Sequence, residues 1–440
     1  MAAGFQDPGK MGELRKRIIF TLLMLAVYRI GVQIPTPGIN SEALATFFAK
    51  NAGTIFGMVN MFSGGALERF SIFALGIMPY ISASIIFQLL TVVIPQLEAL
   101  SKEGESGRRK ITQYTRYATV ALSVVQGLFI SIGLEGMTAS GSTEMIVLDP
   151  GWNFRLMTVL TLTSGTAFIM WLGEQMTERG IGNGISLIIF AGIVARMPAA
   201  IVNTVKMITS GQLIAVFLPI LLGMMVVVVG IIIFFETAQR RIPIQYAKRM
   251  VGRQMFGGQQ SHLPLKINIS GVIPPIFASS IMMFPGTIGQ FVQIDIVQQI
   301  SAKLAWGTPL HTLLYVAMIV FFCFFYTAVT FNPNDIAENL KNNGGFVPGI
   351  RPGKRTAEFI DKVMIRLTVI GAAYVSLVCI LPTVLISKVN LPFYFGGTAL
   401  LIVVGVAIDT MSKIESYTVQ QNYDGFVKKQ KTRSRRTFNG

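Results

Sequence analysis

Long apolar runs separated by short polar or basic connections repeat along the whole chain. A helix needs about 20 mostly apolar residues to cross a bilayer, with a range of about 17–25. Ten runs fit that measure: 18–34, 70–94, 117–133, 156–172, 184–205, 213–235, 272–291, 310–330, 367–386 and 393–409. The sixth, "LIAVFLPILLGMMVVVVGIIIFF", carries no charge, whereas Arg29 interrupts the first, Arg196 and Pro198 the fifth, and Gly397 the last. The pattern predicts ten spanning helices. One stretch fits neither class: "MVNMFSGGALERF" (58–70) sets Met and Phe beside a Gly pair and a Glu–Arg pair, against the mouth of the second run. Taken alone, it reads as an outer loop with an amphipathic turn.

Composition agrees with a membrane chain. Of the 440 residues 52% are hydrophobic and only 13% charged, and mean hydropathy is +0.59; a soluble chain carries about 25% charged residues. The net charge of +16 bears on which connections face the cytoplasm, because Lys and Arg concentrate there. With both termini cytoplasmic, 29 of the 37 basic residues fall on that side and seven on the other, with Arg29 inside a run. Two connections there, 236–269 and 331–366, are each over thirty residues long and basic, and show no obvious secondary structure. Loops of that length are functional or disordered. Cys323 and Cys379 both lie in apolar runs, so no disulfide framework is expected. The start, "MAAGFQDPGKMGELRKR", has no apolar core followed by a cleavage site, so no removable signal peptide is expected.

No catalytic constellation emerges. The two histidines, His262 and His311, form no HExxH pattern, and no paired cysteines suggest a metal. "RGIGNGIS" (179–186) imitates a Gly-rich nucleotide loop but joins two apolar helices. "RPGKRT" (351–356) has Arg after its Gly-Lys pair and Pro348 where the first Gly of a phosphate loop belongs. No cofactor is expected, and any energy source comes from a partner. An ion-coupled solute carrier is the alternative reading. It requires a mid-membrane carboxylate or histidine, while Glu174, Glu236 and Asp409 all fall at run ends.

Six stretches stand out: "NMFSGGALERFSIFALGIMPYISASIIFQLL" (60–90), "EGESGRRKITQYTRY" (103–117), "MWLGEQMTERGIGNGISLIIFAGIV" (170–194), "HLPLKINISGVIPPIFASSI" (262–281), "FNPNDIAENLKNNGGFVPGIRPG" (331–353) and "PFYFGGTALLIVV" (392–404). Together they resemble the SecY family, the large subunit of the bacterial protein-conducting channel. The resemblance runs from about residue 10 to about 415. It implies an all-α integral membrane protein, with ten transmembrane helices in two pseudo-symmetric halves of five around a central pore. The halves would be 1–205 and 206–412, followed by a basic cytoplasmic tail, 413–440.

The resemblance also implies roles for particular residues. The segment at about 53–69 becomes a plug that stoppers the resting pore, with Met58, Val59, Met61, Phe62 and Ser63 packing and Gly64 and Gly65 as hinge. Glu68 and Arg69 would mark its solvated end. Ile81, Ile85, Ile185, Ile189, Ile276 and Ile402 become a pore ring. Such a ring grips a passing chain without binding it and excludes ions by dewetting. A sideways gate would involve Thr91, Gln126, Asn268 and Pro274. The pair Pro274–Pro275 suits either a moving helix or a plain helix start. Arg240, Arg241, Lys248, Arg249, Arg253, Arg351, Lys354 and Arg355 would dock the ribosome and the motor ATPase SecA. SecE and SecG are the implied membrane partners, with signal sequences, nascent chains and lipid as the traffic. The implied place is the bacterial plasma membrane.

Overall fold

The computed structural model describes residues 12–50, 60, 63–135, 146–210, 217–246, 249–251, 254–256, 260–291, 304, 308–389 and 397–437. They divide into two units, Met1–Phe87 with Ala99–Val202 and Val406–Gly440, and Gln88–Glu98 with Asn203–Gly405.

The first unit opens with α1 (Gly12–Gly31) and α2 (Ser41–Lys50). Helix α3 (Met78–Val93) starts in this unit and bends by 100° into α4 (Pro95–Lys102), with Gln88–Glu98 counted in the second unit. Pro95 explains the break: the residue before a proline is pushed out of the helical region. Helices α5 (Glu105–Glu135) and α6 (Trp152–Arg179) pack side by side. Their interface inverts the soluble pattern. Along α5 the buried positions are small, Thr115, Thr119, Ser123, Gly127 and Ser131, recurring every fourth residue. Val120, Val124, Val125, Phe129 and Ile132 are exposed. Small residues let two helices approach closely where lipid leaves no hydrophobic drive between them. The hydroxyls of Thr119 and Ser123 donate back to the carbonyls of Thr115 (2.7 Å) and Val120 (2.8 Å), so burying them leaves no orphan. Ion pairs staple the two helices at both ends, Arg116–Glu174 at 2.8 Å and Arg155–Glu135 at 2.6 Å.

The corner between α6 and α7 (Gly184–Val194) is the glycine-rich "RGIGNG". Asn183 caps α7, its Oδ1 accepting from Ile185 N at 3.1 Å. Thr177 Oγ1 accepts from Gly184 N at 2.9 Å, and Thr21 Oγ1 from Ile181 N at 3.1 Å. The motif is thus a tight helix-to-helix corner held by side chains of its own unit. Helix α8 (Met197–Thr209) follows.

The second unit carries α9 (Phe217–Thr237), then β1 (Gln239–Tyr246), β2 (Arg249–Val251), β3 (Gln254–Phe256) and β4 (Gln260–Lys266). After these come α10 (Ile273–Phe291), α11 (Pro309–Thr330), α12 (Pro333–Asn342), β5 (Gly345–Phe346) and α13 (Lys354–Val389). The last helix, α14 (Gly397–Thr437), starts here and ends in the first unit. The chain is mostly helical, as expected, and the strands add two small sheets to it. β1 pairs antiparallel with β4, Gln239 opposite Lys266 and Gln245 opposite Gln260, and β5 adds to its other edge. On β1, Ile242 and Ile244 are buried while Arg241 and Pro243 are exposed, the period-two alternation of a half-buried strand. Two small cores lie beneath the sheet. One joins Ile242, Leu265, Val347 and Leu367, the other Ile244, Leu340, Ile360 and Met364. The described parts of both long basic connections are therefore folded, as paired strands and as helix α12 with strand β5.

Among the described residues six helices are long and apolar enough to cross a bilayer, or seven if the bent α3–α4 pair is one span. The stretches 223–237 and 273–282 are shorter apolar helices. Expected span 18–34 lies on α1, which carries Glu13, Arg15, Lys16, Arg17 and Arg29 and leaves only 18–28 uncharged.

Candidate channel site

Between α2 and α3 the described chain, from Ser63 to Ile77, runs as successive turns. Ser63 and Gly64 are buried and Gly65 half-buried; Met58, Val59, Met61 and Phe62 lie outside the described residues. Gly64 (φ 68°) and Gly65 (φ 89°) take the left-handed conformation that glycine alone accepts freely. Phe70 adopts φ 43°, a rare conformation for a bulky side chain, and is held there by burial. Its carbonyl accepts from Thr36 N at 2.8 Å. Leu67, Phe70, Ala74 and Leu75 share one core with Leu44, Phe48, Leu134, Ile146 and Phe154.

Polar groups hold the glycine end of this segment. Tyr28 Oη donates to the Ser63 carbonyl at 3.2 Å, and Arg29 Nη1 to the Gly64 carbonyl at 3.1 Å. Asn60 bridges to Glu68 twice, its Nδ2 donating to Oε2 and its Oδ1 accepting from the Glu68 amide, both at 3.0 Å. Arg196 ion-pairs with the same carboxylate. Arg69 is exposed, but Glu68 is not the solvated end that the sequence suggested; two side chains claim it. Arg29 and Arg196 are the residues that sequence reasoning missed here. Their signal was present, since both break otherwise apolar runs.

The six isoleucines divide between the units. In the first, Ile81 and Ile85 are buried one turn apart on α3; on α7, Ile189 is buried and Ile185 half-buried. In the second, Ile276 on α10 is half-buried and Ile402 on α14 is fully buried. None lies on an exposed face. Thr91 donates to the Gln88 carbonyl at 2.7 Å, and Gln126 is half-buried. Asn268 is buried, donating to Glu236 Oε1 at 2.7 Å and the Gly271 carbonyl at 3.0 Å, and accepting from Ser270 Oγ at 3.1 Å. Pro274 and Pro275 occupy the first turn of α10, where an amide would find no helical partner anyway. The pair starts the helix and does not break it.

Arg240 and Arg241 are exposed on β1. Arg249 lies in β2, and Lys248 and Arg253 fall outside the described residues. Arg351 is exposed on a turn whose flanks, Val347 and Ile350, are seated in a core, and its carbonyl accepts from Thr356 Oγ1 at 3.0 Å. Gly349 (φ 81°) and Gly353 (φ 103°) bend the chain on either side. Lys354 and Arg355 are exposed in the first turn of α13. Cations are electrostatically disfavoured at that positive end of a helix.

The family model for SecY matches residues 71–411. The chain belongs to the SecY family. The protein translocase subunit SecY of Pseudomonas aeruginosa is 52% identical over 426 residues, 96% of this chain and 95% of that one. That of Escherichia coli K12 is 51% identical over 425 residues, with the same shares of each chain. Among solved structures, a protein-conducting channel aligns with TM-score 0.65 and 17% identity over 93% of each chain. A SecY whose plug domain is described as stabilising the closed channel and maintaining a membrane seal aligns with TM-score 0.63 and 18% identity, again over 93% of each. Sec61 from a canine ribosome–channel complex aligns at TM-score 0.62 and 16% identity, over 93% of each. SecY members are channel subunits for protein transport, and the fold is the channel fold.

Proposed function

We propose that this chain is the pore-forming subunit through which unfolded secretory proteins cross, and hydrophobic segments leave sideways into, the bacterial plasma membrane. The observation that carries this is the extent of the likeness, 52% identity over 96% of the chain with a named translocase subunit. Ten helices in two halves of five, 1–205 and 206–412, clasp the pore, and both termini face the cytoplasm. The six isoleucines form its waist. Residues 53–69 are the resting plug, a reading supported by the buried glycine hinge and by the sealing role described for the plug of a solved relative. Asn268 and Pro274 at the start of α10, with Thr91 and Gln126, belong to the lateral gate.

The sheet and the Arg351 turn dock the ribosome and SecA, and SecE and SecG complete the membrane complex. The chain performs no covalent chemistry; the motor supplies the energy. The ion-coupled carrier finds no support in these likenesses. The test is reconstitution of the chain with SecE in proteoliposomes, adding SecA, ATP and a secretory precursor. The precursor should become protected from external protease; absence of protection with a functional motor contradicts the reading. In planar bilayers, deleting 58–67 should leave translocation possible but make the resting channel leak small ions.

A further inference from the structure

Resting on the lateral-gate role given above to Asn268 and Pro274, we infer that Glu236 is a positioning residue of that gate. Through Asn268 it fixes where α10 starts, and so sets how apolar a segment must be to leave sideways.

Helix α10 cannot be held at its start in the ordinary way. A capping side chain accepts from the amides of the second and third helical residues. After Ile273 those residues are Pro274 and Pro275, and neither has an amide hydrogen. The start of α10 is therefore set from outside the helix, by the stretch that leads into it. Ile267 N donates to the Ala238 carbonyl, just past α9, at 3.1 Å. Asn268 follows, buried, with both polar atoms of its side chain engaged. Its Nδ2 donates to Glu236 Oε1 at 2.7 Å and to the Gly271 carbonyl at 3.0 Å, while Oδ1 accepts from Ser270 Oγ at 3.1 Å. The bond to Gly271 closes the turn that delivers the chain to α10, and Gly271 itself takes φ 61°. Asn268 thus shapes the turn, and its bond to Glu236 ties the turn to another helix. A carboxylate acceptor makes that tie the strong one of the set.

Glu236 is itself held in place. It sits in the last turn of α9, next to Phe235, whose ring stacks on Tyr374 of α13 with centroids 4.4 Å apart. One turn before Tyr374, a Cβ on Gly371 would lie 3.0 Å from the Ile267 carbonyl oxygen and 3.7 Å from Asn268 Cα. Helices α9 and α13 therefore fix the ground on which the turn rests. A half-buried carboxylate at the end of an apolar helix is costly unless it serves a purpose. Here it accepts from a buried amide in the turn before the gate helix. Any shift of the start of α10 breaks this bond, because its partners stand on different elements. A segment leaving sideways must supply the free energy that opens the gate, so a weaker hold admits a less apolar one.

The experiment uses the full chain with SecE in proteoliposomes, with SecA, ATP and two precursors. One precursor has an intact signal sequence, and the other carries a charge inside the apolar core of its signal. The readout is the ratio of protease-protected faulty precursor to protected intact precursor. Losing one hydrogen bond to a charged group shifts a two-state equilibrium by about tenfold or more. Glu236→Ala should raise the ratio by about that factor, with transport of the intact precursor maintained. Glu236→Gln keeps an acceptor for Asn268 and should bring the ratio back toward the parent. Asn268→Asp, which cannot donate and meets Glu236 with like charge, should raise the ratio without shortening the side chain. Combining Glu236→Gln with Asn268→Asp restores the bond with donor and acceptor exchanged, and should lower the ratio below that of Asn268→Asp alone. If Asn268→Asp leaves the ratio at the parent value, the gate reading fails and the role of Glu236 with it. If Asn268→Asp raises it while Glu236→Ala does not, or if Glu236→Gln matches Glu236→Ala, or if the exchanged pair stays as high as Asn268→Asp, the role of Glu236 alone is overturned.

Discussion

At single residues, backbone proximity decides more than side-chain identity. A Cβ on Gly184 would lie 2.1 Å from the Gly173 carbonyl oxygen, and one on Gly397 1.8 Å from that of Val378. A carbonyl in a helix cannot step aside, so the helices must separate. Overpacking of this kind costs about 1–3 kcal/mol. Gly184→Ala and Gly397→Ala should each lower the unfolding midpoint in detergent by several degrees. Gly223→Ala, with nothing within 4 Å of its Cβ, should not. An unchanged midpoint for Gly184→Ala would refute the corner packing. None of this could be read from the sequence, where all three glycines look alike. The same holds for Arg29 and Arg196: the sequence marks them as out of place but is silent on a partner dozens of residues away.

At the level of elements, α5 shows what apolar patterning can and cannot reveal. The run 117–133 announced a span, but which face turns inward is set by small residues and not by greasy ones. Gly127→Leu should push α5 away from α6, because the Cβ already meets Val159 Cα at 3.5 Å. The expected loss is about 1–3 kcal/mol, read by chemical unfolding in detergent. Val124→Leu on the exposed face should be neutral, and equal losses would contradict the assigned face.

In the basic connections the charge points to solvent, but the alternation in "RRIPIQY" and "HLPLK" is the short-range signal that pairs β1 with β4. The turn that presents Arg351 is seated through Val347 and Ile350 in the core beneath the sheet, and its backbone is tied by Thr356. Arg351→Glu should insert normally yet depress SecA translocation ATPase activity about tenfold or more, since a buried contact to an anionic partner would turn repulsive. Wild-type ATPase activity in that variant would remove the turn from the docking surface. Ile360→Ala, beneath the same sheet and fully buried, offers a cross-check. Cavity formation there costs about 2–5 kcal/mol and should weaken docking without touching a charge.

For the whole molecule, the account depends on the isoleucines facing one translocating chain. Ile81, Ile85, Ile189 and Ile402 are buried and Ile185 and Ile276 half-buried, and the family resemblance singles the six out. Site-specific photo-crosslinking tests this most directly. A photoreactive residue is placed at Ile85, in one unit, and at Ile276, in the other, with exposed Val226 as control. A secretory precursor is then stalled in transit. The account predicts adducts to the precursor from Ile85 and Ile276, dependent on SecA and ATP, and lipid adducts alone from Val226. Precursor adducts absent from both isoleucines, or equally strong from Val226, would contradict it.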